Sequence, residues 1–172
     1  MAINLDPGKR AERKELITVA EWTVGTGSSA TEKREILGKR VEESSIEFNN
    51  ETETTKDILG INYTDVNKTE PSQTFEPFNI IGGSDLAEYL TDAALRNNIQ
   101  AYNNTFNVYI ITSFIGSSGA YFAVKHTGCS IIPTSIGGDA YVQMPIEVHY
   151  SNNITAGTVD KLADDFTFTA ET

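Results

Sequence analysis

The clearest fold signal in the sequence is an alternation of apolar and polar residues near its C-terminal end. It is the stretch AYVQMPIEVHY at residues 140–150. Every second side chain is apolar and would share one face of a strand: Val142, Met144, Ile146, Val148 and Tyr150. The intervening side chains would share the other face: Tyr141, Gln143, Pro145, Glu147 and His149. Because successive residues of a strand point to opposite sides, the pattern predicts a strand with one buried face and one face in water.

Further strand signals, rich in β-branched and aromatic residues, precede and follow this stretch. They cover residues 15–24, 35–48, 52–55, 58–64, 106–114, 120–126, 129–135 and 155–169. Turn residues separate several of them, at 25–29, 116–119 and 137–139. Residues 68–77 are polar with two prolines, and they are predicted to form an irregular crossing segment.

One helix is predicted, over residues 85–96. Ser84 stands at its N-cap, where the hydroxyl can accept a free backbone N–H. Asp85 and Glu88 in the first turn and Arg96 in the last turn suit the helix dipole. Apolar side chains recur at helical spacing and predict the face turned to the core: Leu86, Tyr89, Leu90, Ala93 and Ala94.

Many short strands and one helix in 172 residues predict a mainly β protein, an antiparallel β sandwich or barrel with one flanking α-helix. A chain of this length can bury a core of its own without disulfides or a metal. We expect an N-terminal arm over residues 1–14 and a single domain over residues 15–172.

The charge of the chain is strongly negative and unevenly distributed. The net charge is −11; residues 1–68 carry 10 basic and 13 acidic side chains, and residues 69–172 carry three basic and 11 acidic ones. Tight nucleic-acid binding needs lysines and arginines that displace counterions, so this balance argues against a nucleic-acid binder. The first residues lack the layout of a signal peptide and no apolar run is long enough for a transmembrane span, so we expect no membrane partner.

The residues that carry chemistry are few. The chain has one cysteine, Cys129, and two histidines, His126 and His149, too few for a disulfide framework or a Cys/His zinc cluster. Its glycine-rich pieces lack the Gly-Lys-Ser/Thr of a phosphate loop. The sequence therefore predicts no enzyme, no catalytic residue, no metal site and no cofactor.

Several stretches, in order along the chain, resemble the major tail proteins, or tail-tube proteins, of tailed bacteriophages. An early strand bears EWTVG at 21–25, followed by ILG at 36–38 and VEESSIEF at 41–48. The Thr/Glu-rich ETETTKDILG follows at 51–60. PSQTFEPF at 71–78 then precedes GSDLAEYL at 83–90, as in that family's link into its helix. The basic opening of the chain, about the first 14 residues, lies outside the resemblance.

The resemblance implies a structural subunit that forms hexameric rings, which stack into a tube conducting DNA. Its partners would be copies of itself, tail terminator, baseplate or tape-measure proteins and, in a contractile particle, a sheath. The protein would be assembled in the host cytoplasm and reside in the virion tail or in a phage-like particle. Six subunits giving about four strands each, at ~4.8 Å spacing, would enclose a bore of roughly 37 Å, which leaves room for a duplex. An acidic lumen would repel phosphate, and Gln143, Glu147 and His149 are candidates for its wet face.

The stretch of residues 51–78 is long and polar, and it lacks the alternation of apolar and polar side chains that a core strand requires. In the resembled family this region is an extended loop or hairpin arm that contacts neighbouring subunits and the next ring. Its apolar contacts would be Ile58, Leu59, Ile61 and Tyr63, with Phe75 and Phe78 returning the chain to the body. The alternative is that residues 58–63 form another strand of the chain's own core.

Two other classes of protein fit part of the sequence. One is a secreted or surface β-sandwich interaction module, which the Thr/Asn richness suits and the missing export signal opposes. The other is a small ligand-binding barrel, which the absence of any convergent polar set opposes.

Overall fold

Eleven strands, one α-helix and three short 3-10 helices (Arg13–Glu15, Gly27–Ser29 and Ile99–Ala101) form in the part of the chain that the computed structural model describes, residues 3–171. The first strands are β1 (Leu16–Val24), β2 (Thr31–Ile36), β3 (Ile46–Glu47), β4 (Asn50–Lys56), β5 (Asn62–Thr69) and β6 (Ser72–Phe75). The helix α1 (Asp85–Leu95) follows. The remaining strands are β7 (Phe106–Ser117), β8 (Ala120–Pro133), β9 (Ile146–His149), β10 (Ile154–Val159) and β11 (Phe168–Ala170).

The body is an open antiparallel sandwich. Its larger sheet runs in the order β2-β1-β7-β8-β10-β11, and its smaller sheet in the order β8-β9-β6-β3. Within residues 3–171 the strands β2, β3 and β11 each pair on one side, so the sheets do not close into a barrel. The prediction of a mainly β, antiparallel protein with one flanking helix is confirmed, in its sandwich form.

Strand β8 joins the two sheets. Its first half pairs with β7 and β10, and from Ser130 onward it pairs with β9. Phe106 pairs with Cys129 and the next residue of β7 with Thr127, so Gly128 is an extra residue bulged out of the ladder. Gly128 has a φ of 80°, which glycine adopts without the steric cost of a Cβ. The bulge lets one strand turn the corner between two sheets.

The main core lies between the two sheets and α1. At its centre the Trp22 ring lies 6.2 Å from the ring of Tyr89 and 6.3 Å from that of Phe106, centroid to centroid. A second core covers the opposite face of the larger sheet, where Tyr109 and Phe166 meet edge to face. Because of these two cores, the middle of β1 is buried on both faces.

The helix forms as predicted. The Ser84 hydroxyl accepts a hydrogen bond from the Ala87 N–H, which satisfies one of the free donors of the first turn. A buried carboxylate from β2 adds to this cap, since Glu35 accepts bonds from the Ser84 hydroxyl and from the Leu86 N–H. The face turned to the core carries Leu86, Ala87, Leu90 and Ala93.

The prediction of a strand over residues 140–150 is wrong for the first half of that stretch. The structure contains only β9, and Val142, which was predicted to be in the core, is 54% exposed. Pro145 has no N–H for a ladder, and the two preceding glycines, 137 and 138, bend the chain. The rest of the predicted core face, from Met144 to Tyr150, is buried as expected.

Three other boundaries differ from prediction. The signal over residues 35–48 is split, because β2 ends at Ile36 and positive φ angles at Gly38 and Arg40 turn the chain. Residues 68–77 are not irregular, since they complete β5 and form β6 between β3 and β9. Residues 120–126 and 129–135 belong largely to the single strand β8. In the described part of the chain, no helix is long and apolar enough to cross a membrane.

Candidate functional site

The β4–β5 hairpin is exposed along almost its whole length. Its two strands form a two-stranded sheet of their own, paired from Asn50 opposite Thr69 to Lys56 opposite Asn62. Every residue of β4 is exposed, and so is every residue of β5 except Thr69, which is half-buried. Isolated two-stranded hairpins are marginally stable in water, so a hairpin of this kind is suited to contact with another surface.

The tip of the hairpin is ordered by one carboxylate. Asp57 Oδ1 accepts hydrogen bonds from the Leu59 and Ile61 N–H groups, both at 2.9 Å. Gly60 follows with a φ of 84°, and its N–H bonds back to the Asp57 carbonyl. The turn holds Ile58 and Leu59 outward, and their exposed fractions are 102% and 79%.

The four residues predicted as apolar contacts of the arm all lie on this hairpin. Ile58, Leu59, Ile61 and Tyr63 are each at least half exposed, so the alternative that they belong to the chain's own core is wrong. The prediction did not include Val66, which is exposed on β5. That these residues contact a neighbouring subunit stays a prediction.

Phe75 and Phe78, which were predicted to return the chain to the body, lie in the body and not on the exposed hairpin. Phe75 is 1% exposed at the end of β6, and Phe78 is 7% exposed; both belong to the main core. The chain has returned to the smaller sheet by Ser72, which pairs with His149. The exposed arm is therefore shorter than residues 51–78, and it ends with β5.

The outer face of the smaller sheet brings together two of the three residues predicted for a wet face. Glu147 and His149 lie on β9 with a carboxylate-to-imidazole distance of 3.5 Å, opposite Thr74 and Ser72 of β6. Gln143 lies outside the strand, where its backbone pairs with Gly137 and Asn79. Glu147 is half-buried and His149 is exposed. Whether this face lines a lumen stays a prediction.

Sequence reasoning missed a buried charge cluster on the larger sheet. The Glu21 carboxylate accepts bonds from Arg34 at 2.7 Å, Asn107 at 2.6 Å and Tyr109 at 2.9 Å, with the Lys125 ammonium at 3.5 Å. Burial by itself raises the pKa of Glu21, but the hydrogen bonds outweigh it and lower that pKa to about 2. The signal was present, because Glu21 and Arg34 are equally far from the turn between β1 and β2 and thus pair.

A second buried polar group, also missed, connects the two sheets. The Gln73 side chain on β6 accepts bonds from the Thr18 hydroxyl of β1 and the Tyr150 hydroxyl, and it donates to Ser44. Ser44 in turn donates to the Thr74 carbonyl. Burial raises the pKa of the Tyr150 phenol, so it remains a neutral donor. This group fixes the position of one sheet against the other.

The Cys129 thiol and the His126 ring are buried, unlike the exposed His149. Cys129 is 1% exposed, burial raises the pKa of its thiol, and the thiol donates to the His126 carbonyl. Burial lowers the pKa of His126, whose Nδ1 bonds to the Ser151 carbonyl. Among residues 3–171, no group of three or more histidine, cysteine, aspartate or glutamate side chains is placed to hold a metal ion.

A groove of about 360 Å³ lies beside the first strand. The beginning of β1, the end of β2 and the loop of residues 37–44 form its walls. Arg13 is part of the lining, and its guanidinium donates to the Ser44 and Leu16 carbonyls. The groove therefore has a fixed wall where the N-terminal residues meet the loop.

Comparison with solved structures finds a likeness of fold. No protein-family model matches the chain, and no curated protein matches it. The chain is similar to one in the cryo-EM structure of an extracellular contractile injection system, the PVC sheath-tube complex in its extended state. The TM-score is 0.46 at 12% identity, over 89% of this chain and 95% of the other. The function of this chain has therefore to be inferred from its own residues and geometry.

Proposed function

We propose that this chain is the structural subunit of a phage or phage-like tail tube, which forms hexameric rings that stack into a channel for DNA. The observation that carries the proposal is the β4–β5 hairpin, whose ordered tip holds Ile58 and Leu59 in water. The resemblance of its sequence to the tail-tube family points to the same segment.

Burial of the hairpin tip supplies a driving force for assembly. Fully covering one aliphatic side chain stabilises a complex by roughly 1.5–3 kcal/mol. Asp57 has already ordered the turn, so little conformational entropy remains to be lost when the tip docks. The hairpin is therefore a preorganised contact element.

A contact between two different surfaces of neighbouring copies is compatible with the proposed assembly. A hairpin tip that binds a different surface of the next copy makes a head-to-tail interface, which yields a ring if the rotation closes and a filament if it does not. Both forms are needed in a tube of stacked rings. Terminator, baseplate or tape-measure proteins would end or fill such a tube, and a sheath could surround it.

The outer face of the smaller sheet is the proposed lumen surface. The strand segments that build this sheet carry Glu47, Glu147 and His149 but no lysine or arginine. Such a surface repels phosphate, and DNA would pass it without binding. We propose no catalytic role, because the Cys129 thiol and the His126 ring are both buried in packing.

The test changes the tip of the hairpin without touching the body. We expect wild-type protein to form rings or tubes about 80–120 Å wide by negative-stain microscopy. Leu59→Asp should leave the thermal melt unchanged, because the side chain is 79% exposed, but should stop assembly. Leu95→Asp, at a leucine on α1 that is 70% exposed, is the control and should assemble normally. Wild-type protein that stays monomeric, or Leu59→Asp protein that forms tubes, would contradict the proposal.

A further inference from the structure

The groove beside β1 has the chemistry of a receptor for an apolar tip. Four aliphatic side chains in its lining are partly exposed: Leu16, Ile17, Ile36 and Val41. Covering apolar side chains that are open to water lowers the free energy, so a partner that covers this lining is stabilised there. Arg13 holds the loop of residues 37–44 in place through Ser44, so the groove cannot collapse by a small movement of that loop.

We propose that this groove receives the hairpin tip, Ile58 and Leu59, of a second copy of the chain. The inference rests on the proposed function and adds to it the surface of the neighbour on which the arm docks. Two observations favour the tip of another copy as the occupant. The charges of groove and hairpin are opposite, and the hairpin is too long to enter the groove of its own chain.

The charges of the two surfaces are complementary. The groove is lined by Arg13, Lys14 and Lys39, with Glu42 as the acidic residue among them. The hairpin carries four carboxylates against two lysines, and Glu53 stands directly opposite Asp65 across its ladder. Like charges directly opposite destabilise an isolated hairpin. The hairpin is therefore a net anionic element, which a cationic groove attracts. Electrostatic attraction of this kind fixes the register of a docked element.

The hairpin cannot reach the groove of its own chain. Its ladder continues for about seven residue pairs, which places the tip roughly 20 Å from the base. The base joins β3 and β6, close in the chain to Ser44 of the groove wall. The tip would have to fold back along its own ladder to enter that groove, and its full exposure is evidence that it does not.

Photo-crosslinking maps the docking surface directly. Leu59→p-benzoylphenylalanine protein is assembled from equal amounts of isotope-labelled and unlabelled chains, irradiated, digested and analysed by mass spectrometry. We expect crosslinks between copies, with the partner peptide drawn from residues 13–18 or 36–44. The control, Leu95→p-benzoylphenylalanine, should give no crosslink to those peptides.

A substitution in the groove supplies a second readout. Val41→Lys should raise the critical concentration for assembly by roughly tenfold or more, because the tip loses an apolar partner and gains a buried ammonium. The control is Val142→Lys, at a valine that is 54% exposed away from the groove, and it should assemble like the wild type. Thermal melts of the two variants show whether both remain folded.

The outcomes separate the two proposals. If wild-type protein assembles but the crosslinks from position 59 fall outside the groove, the docking surface is wrong while the tail-tube function stands. Assembly of Val41→Lys at the same concentration as the control would likewise overturn the groove. A wild-type chain that never assembles overturns both proposals together.

Discussion

At the residue scale, the chain depends on polar side chains buried among apolar ones. Glu21 is 3% exposed, and the pleat of the larger sheet places Arg34 and Asn107 in the same cross-strand row. Arg34 also donates to the Phe166 carbonyl and lies 4.8 Å from the Phe166 ring. One carboxylate thus orients the arginine that holds the C-terminal segment on the sheet.

We predict that Glu21→Gln lowers the free energy of unfolding by about 3 kcal/mol, since it leaves two cations without their buried counter-charge. The control is Glu32→Gln, because Glu32 contacts the same Arg34 but is exposed. That change should cost well under 1 kcal/mol. Urea denaturation measures both values. Equal effects of the two substitutions would contradict the prediction.

The same carboxylate makes stability depend on pH. The pKa of Glu21 lies at about 2 in the folded chain, below its ordinary value of 4.5. A depressed pKa stabilises the fold above the unfolded value, and that stabilisation is lost as pH falls from about 4.5 towards 2. The stability difference between wild type and Glu21→Gln should therefore be constant above pH ~5 and should narrow below it. A constant difference down to pH ~2.5 would refute this assignment.

At the element scale, α1 is held to the sheet by a cap from outside the helix. Glu35 on β2 accepts hydrogen bonds from the Ser84 hydroxyl at 2.7 Å and from the Leu86 N–H at 3.1 Å. Its negative charge also interacts favourably with the helix dipole. The helix end and the strand are therefore positioned by a single buried side chain.

We predict that Glu35→Gln lowers the free energy of unfolding by about 1–2 kcal/mol, since the amide retains one acceptor oxygen and loses the charge. The matched control is Glu88→Gln, in the exposed first turn of the same helix. It should change the free energy of unfolding by only about 0.3 kcal/mol. Thermal denaturation followed by circular dichroism compares them. A Glu88→Gln effect as large as that of Glu35→Gln would show that the cap is unimportant.

At the scale of the whole molecule, stability comes from the core shared by both sheets and the helix. Ile146 of β9 is fully buried in that core, whereas Glu147, the next residue, points to the outer face. Neighbouring residues of one strand thus belong to different environments. The contrast between them tests how the smaller sheet is oriented.

We predict that Ile146→Asp prevents folding, because it places an unpaired charge in the core. Glu147→Lys should fold, since its side chain reaches water. Expression, solubility and the near-ultraviolet circular dichroism of the two purified variants measure this. A soluble, monodisperse Ile146→Asp protein beside an aggregated Glu147→Lys protein would mean that the facing is reversed.

The sequence by itself determined the features that depend on local periodicity and capping. The antiparallel β class, the Ser84-capped helix and the buried side chains Met144, Ile146, Val148 and Tyr150 were all readable from spacing. These signals act within a few residues, where side-chain direction follows from backbone geometry. The exposure of the hairpin tip agrees with the low apolar alternation of its strands.

Only the tertiary structure decided which faces are covered and which distant residues meet. β1 is buried on both faces because a core forms against each of them. β8 continues from one sheet into the other because the bulge at Gly128 bends the strand without ending it. Glu21 owes part of its low pKa to Asn107 and Tyr109, more than 80 positions away in the chain. Such contacts depend on long-range strand pairing, which no local pattern specifies, since the same alternation suits many partners. Val142 illustrates the consequence, because its place in the alternation predicts a core position while the fold leaves it 54% exposed.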